Sequence, residues 1–205
     1  MRSVFNFIVK PLGERYENSI TVDNKELLLN TKIESFKSVN NVAVVISTPL
    51  AFKTEIKEGD LVVIHHNVFR RFYDMKGKSK NSSSYFRDDQ YFCNVDQIYL
   101  YKNDKKWIAF NDRCFVKPIK NNDNFKLDKE RELIGILKYG NDSLNKLKIN
   151  PGDLVGYTPN GEYEFIVEGQ RLYCMKSNDI VIKYGYKGNE VEYNPSWAQS
   201  GIGAN

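Results

Sequence analysis

One strand opening is written twice in this chain. "IKEGDLV" (residues 56–62) returns as "INPGDLV" (residues 149–155), each time as an aliphatic residue, two polar or proline positions, Gly-Asp and a run of aliphatics. Glycine takes positive φ without steric cost, and Asp can satisfy nearby backbone N–H groups, so Gly-Asp before such a run reads as a tight turn into a buried strand. Two further anchors recur in the same order: "IVKPL" (8–12) with "FVKPI" (115–119), and "CNVDQIYLY" (93–101) with "CMKSNDIVIKY" (174–184). Three anchors in one order point to a tandem duplication. The first repeat falls in residues 1–102, the second in 106–186, and 187–205 forms a C-terminal tail without strand periodicity. The joint is the polar segment "YKNDKKW", suited to a turn or short linker.

Between the anchors the pattern has period two. "NVAVVIST", "KWIAF", "LIGILKYG", "EYEFIVEG" and "RLYCMK" are short, rich in β-branched and aromatic residues, and bounded by turn residues. No window holds helical spacing for three turns, and "LDKEREL" (127–133) reads as a loop or a single turn. The expected class is all-β, as two tandem small β-barrels with long loops. Lys10 to Gly59 spans 49 positions against 35 from Lys117 to Gly152, and Gly59 to Ile98 spans 39 against 28 from Gly152 to Ile180. The first repeat therefore carries two longer loops, the second of them "DMKGKSKNSSSYFRDD"; loops of that length are usually functional or mobile.

The formal charge of +4 is spread along the chain with both signs interspersed, which gives no nucleic-acid footprint. Cys93, Cys114 and Cys174 are three in number and lack zinc-type spacing, which reads as small apolar fillers in a reducing compartment. The apolar run near the N-terminus is broken at Asn6 and Lys10, too short for a signal peptide or membrane span. A cytoplasmic protein is expected. His65 and His66 are adjacent; on a strand they point to opposite faces and cannot share a metal. No Cys-x-x-Cys, His-Glu-x-x-His, phosphate loop or Gly-x-Ser-x-Gly occurs, and Asp88, Asp89, Glu162 and Glu164 read as solvated charges. No enzymatic activity, metal or cofactor is expected. "VFRRFYD" sets Arg70 and Arg71 among aromatics, either a stacking platform or core aromatics beside an exposed arginine.

The ordered set of strands resembles the GroES-like co-chaperonin family. "FNFIVKPL", "NVAVVIST", "EGDLVVI" and "VDQIYLYK" are similar to its elements in the first half. "NDRCFVKPI", "ELIGILKYGN", "PGDLVGY" and "RLYCMKSNDIVIKY" are similar to them in the second. The resemblance implies a non-catalytic lid on a GroEL-like chaperonin ring, assisting ATP-dependent folding of a client protein as a homo-oligomer, seven-fold by family analogy. It implies docking through a mobile loop, here residues 13–40, with Leu27, Leu28 and Leu29 as its aliphatic triplet. Lys25, Glu26, Asn30 and Thr31 stand where the family commonly has flanking glycines, and "KELLLNTKI" reads equally as an ordinary strand with core-facing leucines. Ile20 and Val22 are a weaker alternative, and the second repeat has no triplet. The segments "STPLAFKTEIKE" and "KYGNDSLNKLKIN" are too short for a roof hairpin, a feature similar to phage-encoded co-chaperonins, whose wider chamber takes a capsid protein. With the frequent Asn, Lys, Tyr and Ile that AT-rich coding produces, this points toward a viral origin and the host cytoplasm. The alternative function is a structural or virion-assembly protein that uses the same fold without chaperonin binding. A zinc alcohol dehydrogenase is excluded by the missing nucleotide-binding βαβ unit and zinc ligands.

Overall fold

The computed structural model describes residues 3–16, 19–22, 25–28, 39–121, 130–188 and 190–199, with backbone alone for 19–22 and 25–28. The protein is all-β, and the chain divides after Trp107 into two compact units.

The first unit opens with β1 (Phe7–Pro11), whose Phe7, Ile8 and Val9 are buried while Lys10 faces out. Its other sheet strands are β4 (Val42–Ser47), β5 (Leu61–Ile64), β8 (Tyr85–Arg87), β9 (Gln90–Cys93), β10 (Ile98–Asn103) and β11 (Lys106–Ala109). They lie in the order β11-β10-β5-β4-β1-β9-β8. Two hairpins stand apart from this sheet: β2 (Ser19–Val22) with β3 (Lys25–Leu28), and β6 (Arg71–Tyr73) with β7 (Ser79–Asn81). In the second unit β12 (Arg113–Lys120), β13 (Glu130–Tyr139), β14 (Asp153–Tyr157), β15 (Tyr163–Val167), β16 (Gln170–Lys176) and β17 (Ile180–Lys187) lie in the order β15-β16-β12-β13-β14-β17. Among the described residues both sheets are open.

Six strands therefore recur in one order, and they recur in one register. Val9, Lys10 and Pro11 face Val45, Val44 and Ala43; Val116, Lys117 and Pro118 face Leu137, Ile136 and Gly135. A register irregularity follows Ile8 in the first pairing and Phe115 in the second. The Gly-Asp turn is the same object both times. Gly59 and Gly152 have φ of 93° and 95°, and their amides donate to Val45 O and Leu137 O at 2.8 Å each. Asp60 accepts from the Lys57 amide at 2.7 Å and Asp153 from the Asn150 amide at 2.8 Å. Ile56 and Ile149 are buried beneath.

The sequence anchor on the cysteines shifts by one. Cys93 faces Phe7 and Met175 faces Cys114, so Met175, not Cys174, is the counterpart of Cys93. What sets this register is the turn that follows. The Gln97 side chain accepts from the Asn94 amide and that of Asp179 from the Lys176 amide, both at 2.9 Å.

Two other expectations change. Residues 130–133 of "LDKEREL" belong to β13, because β12 and β13 form one long hairpin reaching the Lys120 to Glu130 pair. The basic segment after Tyr73 forms hairpins: Asp74 accepts from the amides of Lys76 and Lys78, and Asp88 and Asp89, at φ 47° and 58°, make the turn between β8 and β9. A short helix, α1 (Asp142–Lys146), stands before the second Gly-Asp turn. It is capped by Asn141, which accepts from the Leu144 amide at 3.1 Å, and is anchored by buried Leu144.

The tail is not free. Glu192 bridges to Ile119 in the sheet, the Tyr193 amide donates to Pro118 O, and Lys117 pairs with Glu192 at 2.9 Å. The helix α2 (Ser196–Gln199) follows, with Ala198 fully buried. Among the described residues no helix is long and apolar enough to cross a membrane.

Candidate functional site

The long loop of the first unit leaves β1 and returns to β4 through a closed base. Its ends meet in a bridge between Tyr16 and Val39. Beside that bridge Asn40, 2% exposed, donates from Nδ2 to Leu12 O at 2.8 Å and Glu14 O at 2.9 Å. Its Oδ1 accepts from the Val42 amide at 2.8 Å, and its own amide donates to Arg15 O at 3.1 Å. One side chain thus satisfies three backbone groups that the departing chain would leave unpaired. Bringing the ends together is an entropic cost that rises only slowly with loop length, so a closed base leaves the far end long.

Tyr16 and Arg15 tie this base to the next loop. The buried Tyr16 hydroxyl accepts from the Arg71 amide at 2.5 Å, and the Arg71 guanidinium lies 4.3 Å from the Tyr16 ring centroid. Arg15 donates from Nε to Phe69 O, from Nη2 to Arg70 O at 3.0 Å and from Nη1 to Asn81 Oδ1 at 2.7 Å, and lies 5.1 Å from the Tyr91 ring centroid. Burial lowers the Arg15 guanidinium from its ordinary value, and neighbouring Arg71 adds to this. The arrangement is a rigid bracket of cations on aromatic faces. Both arginines of "VFRRFYD" are taken up within the fold: Arg71 lies over Tyr16 of the loop base, and Arg70 over Phe72 of its own segment at 5.2 Å. Arg15, Tyr16 and Asn40 escaped the sequence reading, because most hydrogen-bond partners of their side chains stand 26 to 66 positions away.

Of the expected triplet, Leu27 and Leu28 end β3, and Leu29 lies outside the described residues. Leu27 stands opposite Ile20, Leu28 opposite Ser19, and Lys25 opposite Val22. The two candidate docking segments are therefore the two strands of one hairpin. The corresponding part of the second unit, residues 122–129, is outside the described residues.

The remaining candidates make local contacts within the fold. His65 and His66 do not alternate across a strand. His65 caps the 3-10 turn His66–Val68, accepting from the Asn67 amide, and the two rings stack at 4.3 Å. Burial, then His65 and Arg70, lower His66 to about 4. Among the described residues no group of three His, Cys, Asp or Glu is placed to hold a metal. The three cysteines are buried and unlinked, and burial pushes the Cys114 thiol up to about 12. Glu164 is paired with Arg171 at 2.8 Å. The chain matches no protein-family model and no curated protein.

Proposed function

We propose that the protein is a tandem GroES-like co-chaperonin, a non-catalytic lid for a chaperonin ring. The observation that carries this reading is the bracketed loop base. One of two units built on the same strand order and register carries, in the loop that leaves an anchored root, a hairpin containing Leu27 and Leu28. In this reading each unit is a small GroES-like barrel, and docking belongs to the first alone. A buried Leu contributes roughly 1.5–3 kcal/mol, against about 1–2 kcal/mol for ordering each loop residue. A single loop then binds weakly, and several loops on a homo-oligomeric ring bind together through effective concentration. Such a lid releases readily, as a folding cycle driven by ATP requires. The client is a protein enclosed beneath it, a viral capsid protein in the host cytoplasm if the chain is viral.

The test mixes the protein with a bacterial chaperonin and adenine nucleotide and examines the product by sedimentation and electron microscopy. A capped complex is expected. With Leu28→Asp the complex is lost while the fold is retained. Failure of the wild type to associate with its cognate chaperonin overturns the lid and leaves the virion-assembly reading. Equal binding by Leu28→Asp keeps the lid and removes the triplet.

A further inference from the structure

We propose that the β6–β7 hairpin is a second docking element of the first unit, and that its partner is an acidic rim on the same chaperonin that takes the leucine hairpin. The inference rests on the lid reading. Both signs of charge are interspersed along the sequence, but the surplus is local once the chain is divided into its units. The second unit carries thirteen basic and thirteen acidic residues. In the first, residues 70–87 hold six lysines and arginines against Asp74 alone, an excess of five, while its other residues hold eleven against twelve. The whole surplus of the chain therefore sits on one segment. That segment falls between Gly59 and Ile98, where the first repeat is longer than the second by eleven positions.

The segment has a built tip and a built base. Asp74 closes the tip: its carboxylate accepts from the amides of Lys76 and Lys78 at 3.0 and 2.9 Å, its amide donates to Lys78 O, and Gly77 turns the chain at φ 72°. Phe72 stands opposite Lys80, and Arg71 opposite Asn81 at the base. Both residues of that basal pair are held by the root of the long loop, the Arg71 amide by the Tyr16 hydroxyl and Asn81 by Arg15. The charged hairpin and the leucine-bearing loop thus leave one bracket. A partner engaged by the loop has the hairpin tethered beside the loop's root.

The occupant follows from which cations the fold uses. The arginines lie over aromatic rings of their own unit: Arg71 over Tyr16, Arg70 over Phe72 and Arg87 over Phe86. The lysines point to solvent. Lys76 and Lys78 are exposed and make no ion pair among the described residues, and Lys80 reaches Asp74 at 3.6 Å from an exposed position, a contact of little strength. Met75 beside them is fully exposed. Three lysines around one adaptable apolar side chain suit an acidic rim on a protein. Nucleic acid suits them less. Three lysines neutralise about three phosphates, where a firm grip takes about 6–10. The rings of Phe72, Phe86 and Tyr16, on which a base would stack, already carry arginines. Charges on such a tip speed encounter more than they prolong a complex. Leucine burial sets the lifetime.

The experiment follows binding of the full chain to a bacterial chaperonin ring with adenine nucleotide by stopped-flow fluorescence. Ionic strengths of about 0.05 and 0.5 M take exposed charges from felt to screened. Lys76→Glu, Lys78→Glu and Lys80→Glu combined should slow association about tenfold at low salt, with the gap closing at high salt and dissociation changed by less than about twofold. Leu28→Asp should instead speed dissociation. Lys53→Glu, Lys105→Glu and Lys106→Glu combined make the same change of charge at exposed positions outside the segment and should slow association by less than about threefold. Circular dichroism checks each fold. Equal slowing by the two triple variants is a general charge effect and overturns the proposal. Unchanged association of the hairpin variant, with Leu28→Asp still defective, overturns it and keeps the lid. Loss of binding to a labelled oligothymidine with chaperonin association unchanged makes the hairpin a nucleic-acid site and also overturns it. No association of the wild type with its cognate ring removes the lid and this contact together.

Discussion

The two units place a tyrosine at the same point of the same sheet and surround it differently. Tyr91 faces Val9 and Tyr173 faces Val116, and each lies under an arginine, at 5.1 Å and 5.0 Å. In the first unit the cation is Arg15, brought by the root of the long loop and tied to Phe69, Arg70 and Asn81 in the next loop. In the second it is Arg171, from β16, the strand that also carries Tyr173. Burial alone would lower Arg171, but ion pairs to Glu130 at 2.5 Å and Glu164 at 2.8 Å outweigh it and hold the guanidinium above its ordinary value. Tyr193 and Trp197 of the tail close over the same cation. The first unit thus covers this region with inserted loops, and the second with a returning tail. The scaffold tolerates either cover because the strand register beneath does not depend on it. Loops that have a role beyond covering can then be lengthened in one copy alone.

That contrast can be broken most sharply at the two buried asparagines. Asn40→Ala leaves Leu12 O, Glu14 O and the Val42 amide without their partner and should destabilise the first unit by about 2–4 kcal/mol. Asn141→Ala frees the Leu144 amide and Arg113 O and should act similarly on the second. The chain has two tryptophans, one in each unit, so urea unfolding followed by Trp107 with Trp197→Phe, or the reverse, separates the effects. On the proposed lid reading, only Asn40→Ala should also weaken chaperonin association. Equal weakening by both would break the division between a docking unit and a scaffold unit.

Next in size is the pair formed by Ala43 and Gly135, which occupy one register position. A Cβ on Gly135 would overlap the Lys117 carbonyl oxygen and Val116 Cγ1. Gly135→Ala should cost about 2–3 kcal/mol, whereas Ala43→Gly in the first unit should cost about 1 kcal/mol. A smaller and symmetrical loss is expected at the Gly-Asp turns. Gly59→Ala and Gly152→Ala meet no neighbour, and each forces positive φ on alanine at about 1–2 kcal/mol. Unequal losses there would mean the turns are less alike than their hydrogen bonds.

The smallest effect is one of pH. Both histidines lie in the first unit, and His66 stays neutral in the fold down to about pH 4 while the unfolded chain protonates near 6.5. The unfolded state therefore binds the extra proton between these values, and stability of the first unit falls as pH drops through that window. His66→Gln should flatten that limb. In the second unit Asp153 is held below its ordinary value by the Asn150 amide and Lys183, so its contribution is present above about pH 4 and is lost on further acidification. Unfolding midpoints from pH 3 to 8, read by each tryptophan separately, check both signs (the range brackets the ordinary Asp and His values).

Strand content, the doubled Gly-Asp turn and the order of elements were legible in the residues, because period-two burial and positive φ are local demands. Local pattern also misled at the cysteines: similar residues invited one alignment, and the capping turns around Gln97 and Asp179 imposed another. The joint "YKNDKKW" reads as a turn or short linker by composition, and it is the turn between β10 and β11 of one sheet. Of the candidate site, the loop and its leucines could be read from spacing and resemblance, and the bracket beneath them could not.

The sequence by itself determined that this chain makes two sheets of short strands, each entered through the same turn, with extra length in the first copy. Only the tertiary structure decided that Arg15 and Tyr16 lock one loop to another. It likewise decided that the tail folds back on Arg171, that His65 and His66 stack, and that among the described residues β17 ends its sheet where β10 is flanked by β11. These outcomes depend on which distant segments meet. A side chain's local pattern reports whether it will be buried, but its partner is chosen by the path of the whole chain.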